Sequence, residues 1–66
     1  MKISLNGAAA AVDDSATVGA LVDSLGRGRK GVAVAVNEEL VPRSAWDGAA
    51  LHEDDRVEVL TASQGG

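Results

Sequence analysis

The sequence predicts an α+β fold, one main helix packed on a mixed sheet of four to five strands, and three observations predict it. Apolar residues alternate with a period of two in "KISLN", "VAVAVN" and "RVEVLTA", the mark of strands with one buried face. Between residues 17 and 25 the period lengthens, so that Val18, Leu21, Val22 and Leu25 form one helical stripe. A chain of 66 residues has room for one modest core, and a single helix laid across one face of a sheet buries both the stripe and the valines.

In the first strand Ile3 and Leu5 face one side, and Lys2, Ser4 and Asn6 the other. Asn6-Gly7 predicts a type I′ hairpin turn, whose central residues both need positive φ, so "AAAAVD" returns as the second strand despite the low strand propensity of alanine. Thr17 is the expected N-cap of the helix, with Ser15 as its rival, and Asp13 and Asp14 precede it on the side its dipole favours. Gly19 costs about 0.5–1 kcal/mol relative to alanine, and Gly26 is placed to end the helix with positive φ. Val32, Val34 and Val36 face the core from the third strand, while Ala33 and Ala35 lie on its other face. Pro42 cannot donate a ladder hydrogen bond, so "ELVPRS" reads as a short edge strand running into a turn. "RSAWDG" then makes one helical or 3₁₀ turn that folds Trp46, the sole aromatic residue, inward. In the last strand Val57, Val59 and Thr61 share a face, opposite Glu58, Leu60 and Ala62. The folded domain is expected to span residues 1–62, with 63–66 as a flexible C-terminal tail.

Composition narrows the chemistry. Hydrophobic residues make up 45% of the chain, which is globular rather than disordered in character. With no cysteine there is no disulfide, thiolate zinc site or thiol nucleophile, and one histidine without companions argues against any metal site. A formal net charge of −4 gives no general attraction to nucleic acid or anionic lipid and favours partners with basic surfaces. No apolar run approaches the roughly 20 residues that cross a membrane, and "MKISLNG" lacks a signal-peptide core, so the expected location is the cytoplasm. The expected state is a monomer with no bound cofactor. The one basic cluster, Arg27, Arg29 and Lys30 in "RGRKG", reads as a loop beside the helix end.

The remaining chemical group is the end of the chain. Ser63, Gln64, Gly65 and Gly66 follow the last strand with no reason to pack, and four extended residues reach about 13 Å. A glycine tail fits a narrow channel in a partner while the folded body docks outside, at an entropic cost in ordering it. A carboxylate is a poor electrophile, so the tail needs a partner to activate it, for instance as an acyl-adenylate at Gly66. Attack by a persulfide followed by reductive cleavage then leaves a thiocarboxylate, whereas attack by a lysine amine leaves an isopeptide bond. The residues by themselves allow both, and also a non-covalent binding module. A chain without cysteine cannot carry sulfur as its own persulfide.

Four stretches carry a family likeness over the whole length: "ISLNG", "ATVGALVDSL", "VAVAVNEELVPRSAW" and "DRVEVLTASQGG". The chain resembles the ThiS sulfur carriers of thiamine biosynthesis, members of the ubiquitin-like β-grasp superfamily, which also includes the molybdopterin carriers of the MoaD family. The central block is the most specific, since Gly-Gly is shared across the superfamily. The resemblance implies a β-grasp fold. It also implies adenylation at Gly66 by a ThiF or E1-like enzyme using ATP, sulfur supplied through a cysteine desulfurase, and delivery from the thiocarboxylate to the thiazole synthase ThiG. On that reading the chain is a protein cosubstrate rather than an enzyme. Service to another sulfur pathway such as molybdopterin synthesis, or a ubiquitin-like modifier role, stands as the alternative. Relatives commonly have Gly-Asp before the last strand, where this chain has Asp54-Asp55, and Asp is among the residues that enter the left-handed region.

Beside the tail, Leu60, Ala62, Ala33 and Ala35 are expected to form a shallow apolar docking patch on the open sheet face. Arg43 is available to an acidic partner residue or stays solvated, and "HEDD" (residues 52–55) reads as a solvated turn, with the complement of a basic partner as its alternative.

Overall fold

Asn6 and Gly7 take φ of 50° and 86°, the left-handed pair a two-residue hairpin turn requires. They join β1 (Lys2–Leu5) to β2 (Ala8–Ala11) in antiparallel register, with Leu5 opposite Ala8. The computed structural model of the chain describes residues 1–62. In it α1 (Val18–Ser24) follows, then β3 (Val32–Val36), β4 (Glu39–Val41), a 3₁₀ segment (Arg43–Gly48) and β5 (Arg56–Thr61). The sheet order is β2-β1-β5-β3-β4. Among the described residues only β1 and β5 run parallel; the other three pairs are antiparallel. The five strands meet the upper end of the expected count, and β4, ahead of Pro42, lies at an edge as Pro requires.

Thr17 caps α1, its hydroxyl accepting the Ala20 N–H at 3.1 Å. The rival Ser15 is occupied, both its N–H and its hydroxyl donating to Asp13 Oδ1. Those bonds, the backbone one foremost, hold the Asp13 carboxyl below its ordinary range. Val18, Leu21 and Val22 are buried as the stripe predicts, but Leu25 is 40% exposed. The helix stops at Ser24, Leu25 is its C-cap residue, and Gly26 turns the chain away at φ 74°.

The core gathers Ile3, Val18, Leu21, Val22, Val34, Leu51 and Val57 around Trp46, which is 1% exposed. The Trp46 indole N–H donates to Val41 O at 2.9 Å, so its polar tip is satisfied where the ring is buried. Val18 N–H bonds Ala49 O and Leu51 N–H bonds Ala16 O, tying the helix start to the segment after the 3₁₀ turn.

Two features go beyond the sequence reading. Arg29, read from sequence only as one charge of a basic loop beside the helix end, forms a fork on Asp23 (Nε–Oδ1 2.9 Å) and reaches Asp47 Oδ1 at 2.8 Å, with its guanidinium 5.8 Å from the Trp46 ring centroid. Arg29 hydrogen bonds hold Asp23 and Asp47 below the usual carboxylate range, and the two acids, Asp23 first, push the guanidinium further up. A Cβ on Gly19 would collide with the Asp47 carboxylate and the Arg29 guanidinium, so the glycine that weakens α1 makes room for this pairing. Second, "HEDD" is not uniformly solvated: Asp55 is 8% exposed, accepting from Asn37 Nδ2 at 3.0 Å and His52 N–H at 2.8 Å. Asp54 beside it adopts φ 69°, the left-handed conformation expected of this turn.

Candidate functional site

β5 is the element that leads to the tail; it is held along one edge to its end and along the other as far as Val59. Toward β3, the register runs from Val36↔Val57 to Val32↔Thr61, and beyond it Ala62 N–H donates to Gly31 O at 2.7 Å. Gly31 takes φ 73°, a backbone that favours glycine, and this brings its carbonyl to the strand end. Toward β1, the backbone pairing stops at Leu5↔Val57 and Asn6 N–H to Val57 O. The Asn6 side-chain amide then takes over. Its Oδ1 accepts the Val59 N–H at 2.8 Å and its Nδ2 donates to Val59 O at 3.2 Å, imitating one more strand residue.

On the outer face of the sheet, Leu60 lies opposite Ala33, and Ala35 lies between Glu58 on β5 and Leu40 on β4. Leu60 is 68% exposed and Leu40 73%. Ala33 and Ala62 are exposed and Ala35 is half-buried. The structure therefore brings Leu60, Ala33, Ala35 and Ala62 to one side near the end of β5, and adds Leu40, which sequence reading left out. Its signal was obscured because the two-residue turn at Asn37-Glu38, with φ of 52° and 71°, sets which β4 residue faces outward, and Glu at positive φ is not a turn signature. Arg43 is exposed at the start of the 3₁₀ segment and makes no ion pair among the described residues. Ser63, Gln64, Gly65 and Gly66 lie outside the described residues.

Of the three basic loop residues, Arg29 is consumed by Asp23 and Asp47, while Arg27 and Lys30 are exposed. Because Ala62 bonds to Gly31, this loop sits at the base of the tail. Among the described residues no helix is long and apolar enough to cross a membrane.

A crystal structure of the thiamine biosynthesis protein ThiS from Geobacter metallireducens superposes with a TM-score of 0.82 at 32% identity, each chain fully covered. An NMR structure of a thiamine biosynthesis protein from the same organism gives 0.81 at 31% identity, covering all of this chain and 88% of that one. SAMP1 from Haloferax volcanii shares the ubiquitin-like fold alone, with a TM-score of 0.60 at 21% identity over 98% of this chain and 97% of its own. A thiazole synthase from Paramagnetospirillum magneticum is 36% identical over all 66 residues, but the chain spans only 20% of that relative's length. The ThiS family model matches residues 3–66, and with the β-grasp sheet and its single helix in place the chain belongs to the ThiS family.

Proposed function

We propose that this chain is a sulfur carrier of thiamine biosynthesis whose Gly66 carboxylate is converted to a thiocarboxylate by partner enzymes. The observation that supports this most directly is the anchored end of β5: Ala62 is held by Gly31, four residues before Gly66, in a member of the ThiS family. Four extended residues span about 13 Å, enough to enter a partner's channel while the body docks outside.

The chemistry balances without any catalytic side chain from this protein. The Gly66 carboxylate attacks the α-phosphorus of ATP on a ThiF-type enzyme, forming the acyl-adenylate and releasing pyrophosphate. A persulfide sulfur charged by a cysteine desulfurase attacks the acyl carbon and expels AMP, giving an acyl disulfide. A thiol reductant cleaves its S–S bond, leaving the thiocarboxylate on Gly66 and a disulfide elsewhere. A ThiG-type thiazole synthase then takes the sulfur; the resemblance to a thiazole synthase chain is consistent with that partnership. ATP and the sulfur donor belong to the partners, so the chain acts as cosubstrate. Residues 63–66 form the tail, and Leu60, Ala62, Ala33 and Ala35, with Leu40, form the apolar docking surface; Arg43 is an outlying contact for an acidic residue.

Incubation with ATP, a ThiF-type enzyme, a cysteine desulfurase, cysteine and a thiol reductant should yield a thioacid that is chemically trapped and assigned by fragmentation to Gly66. Trapping is needed because oxidation of Met1 changes the mass almost equally. Isopeptide adducts to a lysine in place of the thioacid would overturn the carrier reading in favour of a modifier, and a Gly66→Trp chain should fold normally but fail to load. Leu60→Asp should leave the melting temperature within about 2 °C, since the side chain is exposed, while slowing adenylation about tenfold. An unchanged adenylation rate in the folded variant removes Leu60 from the docking surface.

A further inference from the structure

Along a strand, successive residues turn their backbone N–H and C=O to opposite edges. In β5 the odd-numbered residues face the β1 side: Val57 O accepts from Asn6 N–H, and Val59 uses both groups on the Asn6 side chain. By the same alternation Thr61 turns its N–H and C=O to that side. There the chain has already doubled back at Asn6-Gly7, and among the described residues no hydrogen bond reaches those two groups. The edge opens into a groove of about 490 Å³ lined by Asn6, Leu25, Arg27, Val59, Leu60 and Thr61. Leu25, which left the helical stripe, and Leu60, from the outer face, supply exposed aliphatic surface to it. Arg27 supplies an exposed cation that makes no ion pair among the described residues, in a chain of net charge −4.

We propose that this edge receives an extended acidic segment of the partner enzyme that accepts the tail. Its backbone continues the β1-side ladder by pairing with Thr61, successive aliphatic side chains lie against Leu25 on the helix side and Leu60 on the outer face, and a carboxylate meets Arg27. This is strand addition, in which main-chain bonds supply affinity and side-chain contacts supply choice. The charge argument selects an acidic occupant, because Arg29 is neutralised within the fold and Arg27 is the cation that lines the groove. The consequence for transfer is positional. Pairing at Thr61 extends strand order to within two residues of Ser63, and its hydrogen bonds offset part of the entropy lost when Gly65 and Gly66 are ordered.

The proposal rests on the carrier reading, and the test separates them. The 66-residue chain can be made by total synthesis with Thr61 N-methylated, which deletes the open donor, and Arg27→Glu can be made in the ordinary way. Pyrophosphate release with a ThiF-type enzyme and ATP gives kcat and KM for each. The N-methylated chain should show KM raised about tenfold with kcat and melting temperature retained. Arg27→Glu should raise KM several-fold and flatten its salt dependence. Amide exchange of the unmodified chain in complex with the enzyme reads the pairing without any substitution: Thr61 N–H should become protected. An unchanged KM for the N-methylated chain, or a Thr61 amide that exchanges as fast in the complex as in the free protein, overturns the edge proposal while the carrier reading stands. Absence of pyrophosphate release from the unmodified chain overturns both.

Discussion

The Asp55 carboxylate accepts two hydrogen bonds, from the Asn37 side-chain amide and from the His52 N–H. Asn37 in turn accepts the Arg56 N–H through Oδ1, so one carboxylate links the β3–β4 turn to the start of β5. Asp55 is buried and both bonds are partly so, and a hydrogen bond to a charged group contributes about 1.5–3 kcal/mol, less where its donor sits on an exposed residue as here. Asp55→Ala should therefore lower unfolding free energy in urea by about 2–3 kcal/mol, with Asp55→Asn retaining one acceptor and falling between. A loss below about 0.5 kcal/mol would show that water replaces the carboxylate without cost. Nothing in "HEDD" distinguishes this aspartate from its neighbour, because the group that selects it is an asparagine 18 positions away. Gly19 misleads in the same way: propensity counts it as a flaw in α1, and only the approach of Asp47 and Arg29 reveals the space it leaves.

At the scale of elements, β5 is longer than its parallel partner. β1 supports it through Val57, the Asn6 amide carries that support to Val59, and β3 holds the other edge to Thr61. Asn6→Gly separates the two duties of this residue, since glycine keeps the positive-φ turn but removes the amide. Val59 N–H exchange should accelerate about tenfold in that variant while amides in α1 change little. Equal acceleration throughout the domain would mean that Asn6 stabilises the whole fold rather than the approach to the tail. The Asn-Gly pair announced the turn from sequence, yet not the strand its side chain would join, because that strand lies 53 residues away. Leu25 shows the complementary limit: it fits the helical period, but the helix ends at Ser24 and delivers it to the groove.

Across the whole molecule, Arg29 joins α1, the loop before β3 and the 3₁₀ segment through Asp23 and Asp47. Both carboxyls titrate below their ordinary 3.8 in the folded protein, because Arg29 hydrogen-bonds their charged forms. In acid the unfolded chain therefore binds protons first. The stability from this pairing is complete above the ordinary value and is lost as pH falls through the lowered ones. Melting temperature should decline below about pH 4, and Arg29→Ala should show a shallower decline, so that the gap between the two curves narrows as pH falls. Parallel curves for the two proteins would remove the pairing from the acid response. The alternation in β1, β3 and β5, the stripe of α1, the Asn6-Gly7 turn and the inward Trp46 all follow from local periodicity and local backbone preference, and these determined the α+β class and the family likeness from sequence alone. Tertiary structure decided which charges stay exposed, with Arg29 and Asp55 claimed internally and Arg27 left at the groove, and which edge of β5 stays open. Ion pairing and strand neighbours depend on residues far apart in the chain, and the sequence orders them only once the fold has closed.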